Sequence, residues 1–121
     1  MYKDWPHIAG EAAGAVKELR SGVPEVMKGF SALSQAAIAP KALDSKTKEL
    51  IALGIAVAVR CDPCIAFHTD SARKYGASRE EMMETVSTAI YMGAGPSVMY
   101  AAQAVEAYDQ WVAKNAAHAA P

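Results

Sequence analysis

The sequence predicts an all-α fold: one domain spanning residues 1–121, folded as an antiparallel bundle of about six helices. Three observations predict it. Apolar residues recur three and four apart over long stretches, while alternating runs of β-branched and aromatic residues are few. Proline, glycine and capping residues punctuate the chain at short intervals, with no low-complexity linker and no internal repeat. Hydrophobic residues make up 52% of the 121 positions and charged residues 21%, a balance that supports a packed core and excludes a disordered chain.

The elements follow in order. Asp4 before Trp5-Pro6 marks the first helix start, because proline fits the first turn, where an amide has no partner; the helix runs from about His7 to Ser21-Gly22. Pro24 starts the second, which carries Val26, Met27, Phe30 and Leu33 at helical spacing and ends before Pro40. Asp44 caps the third, which passes through Glu49 and the apolar run LIALGIAVAV to about Arg60. Asp62 followed by Pro63 reads as a cap and a proline start for the fourth, and Gly76 suits its left-handed C-terminal position. Ser78-Arg79-Glu80-Glu81 matches a capping box and opens the fifth, to about Gly93. Gly95-Pro96 starts the sixth, which ends near Lys114, with the tail NAAHAAP expected to fray. That last helix is apolar around most of its circumference, which points to a subunit interface, with the centre of a monomeric bundle as the alternative. Met82, Met83, Met92 and Met99 are expected in the core.

A formal net charge of -1 with no Lys/Arg cluster argues against a nucleic-acid or anionic-membrane surface. The start MYKDWPHIAGEAAG has no apolar stretch of signal-peptide length, and LIALGIAVAV falls far short of the ~20 residues of a membrane span. A cytoplasmic protein is the expectation, and cytosolic disulfides are more often transient and catalytic than structural.

That bears on the stretch RCDPCIAFH, which holds both cysteines of the chain. If Asp62 caps the helix, Cys64 lies in its first turn, where unpaired amides and the positive end of the dipole stabilise a thiolate. Cys61 lies just outside, within disulfide reach, and His68 is one turn beyond Cys64 on the same face. An imidazole there can take the thiol proton or stabilise the thiolate, making Cys64 a nucleophile. Asp62 opposes this, since a nearby carboxylate disfavours a second negative charge. Two readings compete: a pair of buried, inert thiols, or a metal site formed by Cys61, Cys64, His68 and Glu49, although the double C-x-x-C signature of zinc is absent. Glu49 is twelve residues before Cys61, ~18 Å of helix rise at 1.5 Å per residue, so spacing alone does not bring it to the thiols. Local pattern pairs it with Lys46 or Lys48. His7 and His118 read as exposed and inert, and GAGP at 93–96 as a turn, not a dinucleotide fingerprint.

Taken together, Glu49, Cys61, Cys64 and His68 spell E-x11-C-x2-C-x3-H. This pattern, with its flanks over about residues 40–110, resembles the AhpD-like alkylhydroperoxidase branch of the carboxymuconolactone decarboxylase family. The resemblance implies an oligomer, a trimer or hexamer, and a thiol-dependent peroxidase or disulfide oxidoreductase that needs no cofactor or metal. It implies that Cys64 attacks a hydroperoxide, that Cys61 closes a disulfide with the resulting sulfenic acid, and that Glu49 and His68 relay the proton. It also implies an external dithiol reductant, a lipoylated or thioredoxin-like protein. The branch prototype keeps a second histidine immediately before the attacking cysteine; here that place is Pro63, which transfers no proton. The alternatives are a lyase acting on a small cyclic acid, as in the decarboxylase branch that lacks the cysteine pair, and a non-enzymatic helical oligomer.

Overall fold

The computed structural model describes residues 2–119, with His118 and Ala119 described by backbone alone. Every regular element among the described residues is helical: α1 (Trp5–Gly22), α2 (Pro24–Ile38), α3 (Ser45–Val59), α4 (Asp62–Lys74) and α5 (Arg79–Ala119). The local signals do their work where they stand. Asp4 accepts the His7 N–H at the head of α1, and Asp44 accepts the Thr47 N–H at the head of α3. The capping box is reciprocal, with the Ser78 N–H donating to Glu81 and the Glu81 N–H donating to the Ser78 hydroxyl.

α5 is one run in sequence and two rods in space. Ala94 has φ 56° and ψ −141°, outside the helical region, with Gly93 before it and Gly95-Pro96 after it. Arg79 and Asp109 form an ion pair although 30 residues separate them, about 45 Å along an unbroken helix. The second arm therefore doubles back along the first, giving six rods in all. Gly93 gives room at this bend, because a Cβ there would lie 2.0 Å from the Ser97 hydroxyl oxygen and 3.0 Å from its Cβ, so Ser97 would have to shift. Alanine-rich sequence carries the second arm past the expected end at Lys114 as far as Ala119. The reading of His118 as exposed lies outside the described side chains.

The core sits among α3, α4 and both arms of α5, with Leu53, Val57, Ile65 and Met82 fully buried; Trp5 closes it from the α1 side. Small residues of the second arm, Ala101, Ala104 and Ala107, let it approach closely. Of the four methionines expected inside, Met82 is buried, but Met83, Met92 and Met99 are exposed, at 38, 75 and 61%. Met92 and Met99 flank the α5 bend, and Met83 lies near the start of α5. α2 runs where Pro24 and Pro40 place it, and its apolar face lies open. It buries no residue, and Val26, Phe30 and Leu33 stand 68, 59 and 63% exposed along one face. None of the described helices is long and apolar enough to cross a membrane.

Candidate functional site

The turn from α3 to α4 sets the site. Arg60 adopts the left-handed conformation, φ 59°, and the amides of Arg60 and Cys61 bond back to the carbonyls of Val57 and Ala56. α4 then starts at once, folded back along α3. Its cap is Cys61, not the expected Asp62: the Cys61 sulfur accepts the Cys64 N–H at 3.3 Å. Asp62 is the first residue of the helix, and it is drawn instead into an ion pair with Lys3.

Cys61 and Cys64 are joined as a disulfide, with Cα atoms 5.2 Å apart. Cys64 is in the first turn, at an intermediate level of exposure, against the edge of the core. Both cysteines are only partly buried. One turn further, His68 is partly exposed, and its Nδ1 lies 2.7 Å from Glu49 Oε2. Glu49 is only 6% exposed, although it lies near the outer end of α3. The local pairing expected for it does not occur: Lys46 pairs with Glu81, and the Lys48 ammonium donates to the carbonyls of Ala37 and Ala39. Packing of α4 against α3 brings Glu49 to His68 across 19 residues of sequence. With Glu49 ionised, Nδ1 carries the hydrogen, and Nε2 is the ring nitrogen left for a third group.

An open cleft of about 570 Å³ lies beside this pair, lined by Glu49 and His68 with Ile38 of α2, Leu43, Ile55 of α3 and Ser71 of α4. Neither cysteine lines it. His68 is thus the group that faces the cleft and also stands one turn from Cys64. Among the described residues no three His, Cys, Asp or Glu side chains converge as a metal-ligand group.

The sequence profile of the carboxymuconolactone decarboxylase family matches residues 24–107, about two-thirds of the chain and all of the site just described. The chain belongs to this family. A carboxymuconolactone decarboxylase family protein from Legionella pneumophila has the same fold, with a TM-score of 0.86 and 48% identity over 88% of this chain and 96% of its own. A second family member, from Thermotoga maritima and with a suggested role in an antioxidative response, superposes with a TM-score of 0.82 at 29% identity, covering 93% of this chain and 96% of its own. An uncharacterised protein of Haemophilus influenzae is 39% identical over 89% of this chain and 96% of its own length. Within the family, the C-x-x-C pair with its upstream Glu49 and downstream His68 is the AhpD-like pattern.

Two residues escaped the sequence reading. Lys3 is remote from the cysteines in sequence and sits in no motif, so only the fold places it on Asp62. The left-handed Arg60 was hidden because that conformation is usually signalled by glycine.

Proposed function

We propose that this protein is a thiol-dependent peroxidase or disulfide oxidoreductase of the AhpD type. The observation that carries the reading is the 2.7 Å contact between Glu49 and His68, one helical turn from the Cys61–Cys64 pair. Glu49 orients the imidazole through Nδ1, so Nε2 takes the proton of the reduced Cys64 thiol. The Cys64 thiolate attacks the terminal oxygen of a hydroperoxide; the O–O bond breaks, Cys64 becomes a sulfenic acid, and the alkoxide leaves as an alcohol with the relayed proton. Cys61 condenses with the sulfenic acid, releasing water and forming the disulfide. An external dithiol, on a lipoylated or thioredoxin-like protein, then reduces the pair by exchange at Cys61 and is itself oxidised. A cytoplasmic setting would supply such dithiols.

The exposed apolar face of α2 supports a homo-oligomer, a trimer or hexamer, since a face carrying Val26, Phe30 and Leu33 needs a partner to leave water. Light scattering at low micromolar concentration gives a multiple of the chain mass if so.

The test is dithiol-dependent hydroperoxide turnover. Cys64→Ser abolishes it, and Cys61→Ser leaves a sulfenic acid or mixed disulfide on Cys64 that mass spectrometry detects. Turnover unchanged in both variants refutes the reading. A lyase acting on a small cyclic acid would keep full activity after both cysteines are alkylated.

A further inference from the structure

The segment before α1 is built onto the molecule with unusual care. The Tyr2 and Lys3 amides both donate to the Glu106 carboxylate at 2.7 Å, and the Trp5 indole N–H reaches the same group at 3.0 Å. Gln110 holds the next link twice, accepting the Trp5 N–H at 2.8 Å and donating to the Lys3 carbonyl at 2.7 Å. Burial pushes the Glu106 carboxyl up, and the Lys3 and Tyr2 amides with the Trp5 indole more than reverse this, holding it below the usual carboxylate range. Trp5 itself is fully buried. The backbone of Lys3 is therefore fixed.

The side chain is fixed as well. Its ammonium pairs with Asp62, both groups being about 30% exposed, and lies 5.5–5.7 Å from the ring centres of Tyr2, Trp5 and Tyr100. Asp62 stands between the cysteines, directly after Cys61 and two residues before Cys64. An unpaired carboxylate there would oppose the charge of a Cys64 thiolate and compete with it for the positive end of the α4 dipole.

We propose that Lys3 is a positioning residue for the cysteine pair: by neutralising Asp62 it raises the thiolate fraction of Cys64 and eases reduction of the Cys61–Cys64 disulfide. Reduction takes two electrons from an external dithiol, which becomes a disulfide. Of the dithiol's two hydrogens one ends on Cys61, and the other is released as a proton when Cys64 remains a thiolate. Whatever stabilises that thiolate therefore pulls reduction forward. Other charged groups lie near the same helix start: Arg60 directly precedes the pair in sequence, and His68 with Glu49 lies one turn along. They are common to every variant below, so differences report on Lys3 and Asp62.

The proposal rests on the cysteine pair being the reactive group, as in the function proposed above, but its test uses no peroxide. In fully reduced protein the rate of Cys64 alkylation by iodoacetamide is followed against pH, with the site read by peptide mass. The disulfide is also equilibrated with dithiothreitol. At low salt, on the acid side of the Cys64 titration where the rate follows the thiolate fraction, Lys3→Met slows alkylation about threefold, as expected for one nearby charge near a protein surface. On the alkaline side, where the reduced protein carries the thiolate, it shifts the dithiothreitol equilibrium toward the disulfide. Asp62→Asn speeds alkylation, and Lys3→Arg behaves as the parent. In the Asp62→Asn background, Lys3→Met loses at least half of its effect, because Lys3 acts through Asp62. An equal effect of Lys3→Met in both backgrounds overturns the proposal. So does a Lys3→Met protein that melts earlier with alkylation and equilibrium unmoved, since the segment is then structural only. Failure here leaves peroxide turnover by Cys64 untouched, and absent turnover with the expected titration leaves the Lys3 role standing.

Discussion

The turns at the two ends of α4 share one backbone pattern and differ in what surrounds it. Before α4, the Arg60 and Cys61 amides bond back to Val57 and Ala56; after it, the Gly76 and Ala77 amides bond back to Arg73 and Ala72 in the same arrangement. Both pivots are left-handed, at φ 59° for Arg60 and 89° for Gly76. At the second turn everything nearby is structural: a glycine free to adopt the angle, the Tyr108 hydroxyl donating to the Ala77 carbonyl at 2.7 Å, and the Ser78–Glu81 capping box. At the first turn the pivot is a cation, the cap is a cysteine sulfur, and the partners Lys3 and Glu49 arrive from distant parts of the chain. One end of the helix closes the fold; the other carries the disulfide-bonded pair. Substitutions at the two ends should therefore separate stability from activity.

The largest effect is expected at the first end. Glu49→Gln keeps the size of the side chain and a hydrogen bond to His68 but removes the charge that supports a protonated imidazole. Peroxide turnover should fall about 100-fold, at the lower edge of what a positioned general base contributes. The unfolding midpoint should move little. If turnover survives and stability falls instead, the two ends of α4 are not distinct in kind.

At the other end, Tyr108→Phe is expected to act in the opposite sense. It strands the Ala77 carbonyl beside a buried ring and costs about 1–2 kcal/mol of stability by urea unfolding. Turnover per folded molecule should be unchanged, and any large loss of it would show that the second turn communicates with the cysteines.

How much of this contrast was legible in the sequence divides along the same line. At the second end only the Tyr108 bond comes from afar, and the turn itself is local: Gly76 and the Ser78–Glu81 box lie within a few residues of each other, so each declares its role by type and position. The same holds for Asp4 and Asp44, and for His68 one turn after Cys64. The first end depends on long-range packing. Cys61, not Asp62, is the cap, and Asp62 finds its partner in Lys3 across 59 residues. Glu49 reached His68 only through the crossing of two helices, and family resemblance, not spacing, had named it. α2 shows a related limit: its start and end are as local signals place them, but a helical apolar period shows only that a face must leave water, and is silent on whether the cover comes from the same chain.

A smaller, pH-dependent difference should follow from the capping box. The Lys46 side chain and the Ser78 amide hold the Glu81 carboxyl below its ordinary value of 4.5. A carboxyl lowered on folding contributes stability that is fully present above the unfolded value and is lost as pH falls through the folded one. The acid limb of the stability profile should therefore steepen below about pH 4.5, and Glu81→Gln should flatten that part of it. An unaltered acid limb in the variant would mean that the box contributes through geometry alone.

The smallest effect tests the pivots themselves. A left-handed residue with a side chain is disfavoured by about 1–2 kcal/mol, and glycine escapes this while losing more freedom on folding. Arg60→Gly should therefore gain about 0.5 kcal/mol net in urea unfolding, because the turn already has the bonds that glycine favours. The same variant removes the cation beside Cys61, so alkylation of the reduced pair should slow about twofold at low salt and converge with the parent at high salt. Gain of stability with loss of thiol reactivity would show that the chain keeps an arginine where glycine folds better, for the sake of the charge. A loss of stability would instead assign the Arg60 side chain a structural contact, and the two turns around α4 would then differ only in sequence.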